Sequence, residues 1–103
     1  MIRWLWLLFA CTACVQPPVP EPGVRIYRQA CARCHDTGKH GAQRIGDREG
    51  WRSRLGQGRD TLLEHSILGF EGAVGHMPPR GGNPALSDAD VVAALDYLLE
   101  QSR

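Results

Sequence analysis

Two cysteines and a histidine stand within five residues, Cys31-Ala32-Arg33-Cys34-His35, in a chain with little apolar sequence to spare. The sequence has 103 residues, and setting aside an N-terminal leader leaves roughly 80 for one folded domain. A domain of that size buries a modest fraction of its unfolded surface, so it usually needs a disulfide, a metal or a large cofactor as a staple. The pentapeptide supplies one. C-x-x-C-H is the pattern for covalent attachment of c-type haem. On one helical turn the two thiols can each reach a vinyl group at one porphyrin edge and form thioethers. His35, four residues beyond Cys31, leaves the same side of the helix end and can offer a ring nitrogen to the iron.

Three other uses of the motif compete. A structural zinc site needs two more cysteine or histidine ligands at tight spacing, and His40, His65 and His76 form no second pair. A thioredoxin-like redox pair needs a βαβ setting, which is missing, and a plain disulfide leaves His35 unexplained. With haem on Cys31 and Cys34 and His35 as one axial ligand, a sixth ligand is expected. Met77 is the candidate, the only other methionine being Met1. In His76-Met77-Pro78-Pro79-Arg80-Gly81-Gly82 it sits in a glycine-rich loop stiffened by two prolines, with no helical face to fill. His76 is the rival ligand, since a neutral imidazole also binds iron. Methionine with histidine raises the potential relative to two histidines and fills both axial positions, which suits electron transfer rather than oxygen or peroxide chemistry.

Net charge is +1, from twelve Lys and Arg against eleven Asp and Glu, which does not suggest a nucleic-acid partner. The charges are segregated along the chain. Residues 25–59 carry nine basic side chains against Asp36, Asp47 and Glu49, and residues 60–103 carry seven acids against Arg80 and Arg103. The result is either a dipole that orients a charged partner or two ordinary solvated faces.

At the N-terminus, Met1-Ile2-Arg3 and the apolar run from Trp4 to Ala10 read as an export signal too short to remain as a membrane span. Cys11 and Cys14 close this run, each after a small residue, as in a bacterial lipobox. Cys14 leaves the more normal apolar length and is assigned the lipid, with Cys11 as the alternative and a disulfide between them as the bland reading. Residues 1–14 are thus a signal peptide of lipoprotein type, 15–23 a proline-rich extended tether and 24–103 the folded domain.

Periodicity predicts an all-α domain. Val24, Tyr27 and Cys31 fall on one stripe of a first helix running into the haem motif, and the stretch from Asp36 to Gly46 reads as a loop. A short helix over about 47–55 carries Trp51 and Leu55 and ends at Gly56-Gln57-Gly58. A third, capped by Asp60 or Thr61, turns Leu62, Leu63, Ser66, Ile67 and Phe70 toward the core. Five glycines and three prolines between Gly69 and Pro84 predict no regular element there. The last helix is the clearest, with Ser87 and Asp90 in a capping box and Val91, Val92, Leu95, Leu98 and Leu99 inward. No strand or repeat is signalled.

Several further motifs occur in one order: Gly46-Asp47 leading to Trp51 and Arg54, Gly58 through Leu62 with His65 and Gly69-Phe70, Gly72 and Gly75 before the Met77 loop, and Leu86-Ser87-Asp88 with Tyr97. Together with the haem motif they resemble the cytochrome c5 group of class I bacterial c-type cytochromes, over about residues 27–100. The resemblance implies a small cytochrome c fold, about four helices wrapped around one covalently bound haem c. It also implies thioethers from Cys31 and Cys34, His35 and Met77 as axial ligands, and Trp51 and Arg54 near the haem propionates. Departures are the missing proline before Arg54, the lack of an extra cysteine pair near the methionine loop, and His76 where a small residue is more common.

The expected function is therefore one-electron carriage, without enzymatic activity. The setting is a periplasmic or membrane-associated respiratory chain, and the partners are redox proteins such as a respiratory reductase or a terminal oxidase. The haem is expected to lie against Leu62, Ile67, Leu95 and Leu98. The alternatives are a small-ligand sensor or peroxidase-like enzyme in which Met77 is displaced, with His40, His65 or His76 near the distal face, or a tethered redox subunit of a larger complex.

Overall fold

The structure, a computed structural model, describes residues 22–103; the expected signal peptide, Cys11, Cys14 and all but the end of the tether lie outside the described residues. The first helical stretch begins at Gly23 and has three parts: α1 (Gly23–Ile26), a π-helical turn (Tyr27–Cys31) and α2 (Ala32–His35). The Ala32 N–H donates to the Tyr27 carbonyl, five residues back. Such a turn holds one extra residue and rotates all that follows by about 100° relative to a continuous α-helix. That rotation falls within the stripe expected through Val24, Tyr27 and Cys31. Val24, Ile26 and Tyr27 are buried, whereas Cys31 is half-buried, packed against the edge of the core and lining a cavity beside it.

α3 (Arg48–Leu55) falls within the predicted span, and the structure adds its N-cap, Asp47, accepting from the Gly50 N–H at 3.1 Å. α4 (Arg59–Leu68) does not start as predicted. Its N-cap is Gly58, with no side-chain cap, so Asp60 lies inside the first turn rather than before it. An acid there still favours the helix N-terminus electrostatically. Leu62 and Ser66 are buried on α4, but Phe70 falls beyond the helix and is 45% exposed. α5 (Asp88–Ser102) carries the full capping box: Ser87 Oγ accepts from the Asp90 N–H and Asp90 Oδ2 from the Ser87 N–H. Its buried positions are Val91, Ala94, Leu95, Leu98, Leu99 and Ser102, with Val92 half-buried.

Two short strands occupy the segment expected to be irregular. β1 (Phe70–Glu71) pairs antiparallel with β2 (His76–Met77), Phe70 opposite Met77 and Glu71 opposite His76. The Gly72 N–H donates to the Gly75 carbonyl at 2.8 Å and closes the connection. Strands of two residues have no alternation for a sequence pattern to reveal. Single 3-10 turns lie at Lys39–Gly41 and Pro79–Gly82.

The core is one cluster of Ile26, Tyr27, Trp51, Leu62, Ala94, Leu95, Leu98 and Leu99. It forms where the first helical stretch crosses α5, with the Tyr27 and Tyr97 rings edge to face at 5.3 Å. At the end of α5 the fully buried Ser102 hydroxyl donates to the Leu98 carbonyl and accepts from the Gly46 N–H at 3.0 Å. That bond pins the loop before α3 to the last helix. No helix among the described residues is long and apolar enough to cross a membrane.

Candidate functional site

A cavity of about 460 Å³ opens beside this core. The end of the first helical stretch contributes Cys31, Cys34 and His35, β2 contributes Met77, and Trp51, Leu62, Leu95 and Leu98 add an apolar surface. Ile67, expected against the cofactor, is half-buried but does not line it; α4 turns Leu62, His65 and Ser66 to the cavity instead. A mostly apolar cavity with a few convergent donors is what a large planar cofactor requires.

The chemistry of these donors follows from their surroundings. His35 Nδ1 lies 2.7 Å from the Gln43 carbonyl oxygen, an acceptor only, so the ring proton is on Nδ1 and Nε2 keeps its lone pair. Burial holds the His35 imidazole below its ordinary 6.5, so it is neutral at neutral pH; the Gln43 bond opposes this in part, and the Arg54 charge adds to it. Burial, then the neighbouring Cys34, pushes the Cys31 thiol up to about 11. No group of three or more His, Cys, Asp or Glu side chains suited to a metal ion occurs among the described residues.

Met77 and His76 are neighbours on β2, so their side chains leave it in opposite directions. Met77 is half-buried on the cavity. His76 also borders the cavity, but its side chain is 61% exposed, with Nδ1 3.5 Å from Glu71 Oε1 across the hairpin. Of the other histidines, His65 lies on α4 with its ring stacked 4.0 Å from Phe70, and His40 is exposed at the cavity mouth. Trp51 is 4% exposed, its ring 6.2 Å from that of His35, and its indole N–H is already committed to the Arg44 carbonyl at 2.8 Å. Arg54 Nη1 donates to Gln43 Oε1 at 2.8 Å. Gln43 was missed by sequence reasoning; a lone glutamine in a polar loop carries no motif.

Residues 18–98 match the family described as cytochrome C oxidase, cbb3-type, subunit III. Cytochrome c-555 of Chlorobaculum tepidum is 44% identical over 81 residues, spanning 79% of this chain and 75% of that one. The chain belongs to the small monohaem class I c-type cytochromes. Cytochrome c5 of Azotobacter vinelandii is 33% identical to this cytochrome over 75 residues, 71% of this chain and 86% of that one. Among solved structures, a chain of the electron transfer complex of nitrite reductase with cytochrome c superposes with a TM-score of 0.70 at 38% identity, covering 85% of this chain and 100% of that one. Reduced cytochrome c551 of Ectothiorhodospira halophila gives 0.58 at 30% identity, covering 77% and 97%.

The cofactor of this cytochrome is one covalently bound haem c, and the residues present fit it: paired cysteines at the cavity edge, an imidazole with a bare Nε2, and a thioether on the same cavity. When bound, the haem supplies a one-electron ferric–ferrous couple. The protein is an electron carrier rather than an enzyme, as its homologues are.

Proposed function

We propose that this cytochrome shuttles single electrons in an exported respiratory chain, periplasmic or membrane-associated, with its haem joined to Cys31 and Cys34 and its iron ligated by His35 and Met77. The carrying observation is that these four side chains line one cavity while His35 Nδ1 is tied to Gln43, which leaves Nε2 for the metal. His76 borders the same cavity, but its larger exposure and its contact with Glu71 favour Met77 over it. Trp51 stacks beside the His35 ring and excludes water, and Arg54, from the cavity edge, is the side chain available to a propionate. A respiratory reductase and a terminal oxidase are the proposed donor and acceptor classes, and a lipid on Cys14, or on Cys11, would keep the carrier at a membrane.

Optical spectra of the purified ferric and ferrous holoprotein test the ligand set. The weak ferric sulfur-to-iron band at the red end of the visible range should be present in the wild type and absent in Met77→Ala. Its presence in Met77→Ala, or its absence from the wild type, would overturn Met77 as the ligand. Mass spectrometry of the exported protein reads the anchor directly, since an acylated N-terminal cysteine identifies Cys14 or Cys11 and an unmodified mature chain removes the proposal.

A further inference from the structure

The loop between the haem motif and α3 is built around one side chain. The Gln43 carbonyl accepts from His35 Nδ1 at 2.7 Å, and two residues on, the Ile45 N–H donates to the His35 carbonyl at 2.7 Å, so the loop grips both the ring and the backbone of that residue. The Gln43 amide is itself held at both ends: Nε2 donates to Asp47 Oδ2 at 2.8 Å, and Oε1 accepts from Arg54 Nη1 at 2.8 Å. Both partners belong to α3, Asp47 as its cap and Arg54 in its last turn. Gly50, where α3 passes the amide, has no side chain, and a Cβ there would overlap Gln43 Nε2 and Asp47 Oδ2. The adjacent Arg44 carbonyl is fixed by Trp51 Nε1, also from α3.

We infer that Gln43, clamped between Asp47 and Arg54, is a positioning residue for the axial histidine: through its side chain α3 sets where the carbonyl that orients His35 stands, and so tunes the iron's potential. The inference rests on His35 as an iron ligand. A ring N–H donated to a fixed carbonyl fixes the ring and raises its basicity toward the metal, which favours the ferric state. Arg54 therefore acts on His35 through an amide as well as by its charge, and the two contributions are separable. Gln43→Leu removes the amide and leaves every charge and the backbone carbonyl in place. Arg54→Lys keeps the charge without the planar donor geometry.

The test uses folded holoprotein variants, checked by far-ultraviolet circular dichroism. In the ferric wild type, a hyperfine-shifted His35 ring resonance establishes His35 as ligand; without it the ligand assignment fails, whatever the variants do. With that resonance present, Gln43→Leu should exchange the His35 Nδ1 proton about tenfold faster. Its ferrous-to-ferric ratio at a fixed applied potential should rise on the order of threefold, the equivalent of weakening one hydrogen bond. Gln43→Glu, which can still accept from Arg54, should recover part of the exchange protection. Wild-type exchange and potential in folded Gln43→Leu would overturn the inference and leave Gln43 a surface residue of the loop.

Discussion

At Gly81 the backbone takes φ 64, and a Cβ there would lie 2.7 Å from the Ala30 carbonyl oxygen. The methionine loop thus rests on the residue just before Cys31, a closeness that only glycine allows. Gly81→Ala should cost about 1–3 kcal/mol through left-handed strain and the clash together. Chemical denaturation of the ferric holoprotein reads that loss, and a midpoint equal to the wild type would refute the close approach. Arg80, the preceding residue, also lies in the left-handed region, at φ 54, without glycine's freedom. It is held there by two bonds, Nη1 donating to the Leu86 carbonyl at 3.0 Å and Nη2 to Asp88 Oδ1 at 2.5 Å. Arg80→Ala removes both. The sulfur-to-iron band proposed for Met77 should then disappear on heating at a lower temperature than in the wild type, while helical circular dichroism at room temperature is retained; equal temperatures for the two proteins would show that Arg80 does not steady the loop.

Among the elements, α5 is the most self-sufficient, because its capping box and inward face are both written in consecutive residues. Ser87→Ala should cost about 1 kcal/mol in denaturation midpoint by exposing the Asp90 N–H and freeing its carboxylate. No change would mean that packing alone holds the helix start. The first helical stretch is the opposite case. Its π turn is not signalled by any residue type, yet it lets one face of the stretch pack on α5 and another present the haem motif to the cavity. The hairpin β1–β2 is likewise invisible to periodicity, and its extended backbone is what sends the side chains of Met77 and His76 to opposite faces.

For the molecule as a whole, the apolar cavity divides the small core from the methionine loop, so the chain is incomplete without the group that fills it. The double variant Cys31→Ser, Cys34→Ser, which leaves no thioether to form, should lose its near-ultraviolet circular dichroism and its cooperative thermal transition. A cooperative transition near the wild-type temperature would show that the polypeptide folds unaided. The charge segregation seen along the sequence is softened in space. Arg59, from the basic half, makes a two-pronged pair with Asp96 of α5, at 2.7 and 3.1 Å. That exposed pair adds little stability, though it docks the start of α4 on α5.

The sequence by itself determined what local chemistry can encode: the attachment motif, the single loop methionine between prolines and glycines, the Ser87–Asp90 capping box, and the buried stripe of α5. Each depends on residues a few positions apart, so each is legible without knowing the path of the chain. Tertiary structure decided the rest. Whether α4 begins at a glycine, which way His76 faces, which residues of α4 reach the cavity, and that Gln43 bridges His35 to α3 all depend on how distant segments meet. The clamp on His35 joins residues eight and eleven apart around Gln43 through a backbone carbonyl and an amide. Neither group carries a signature in sequence, because every residue has the first and any glutamine the second.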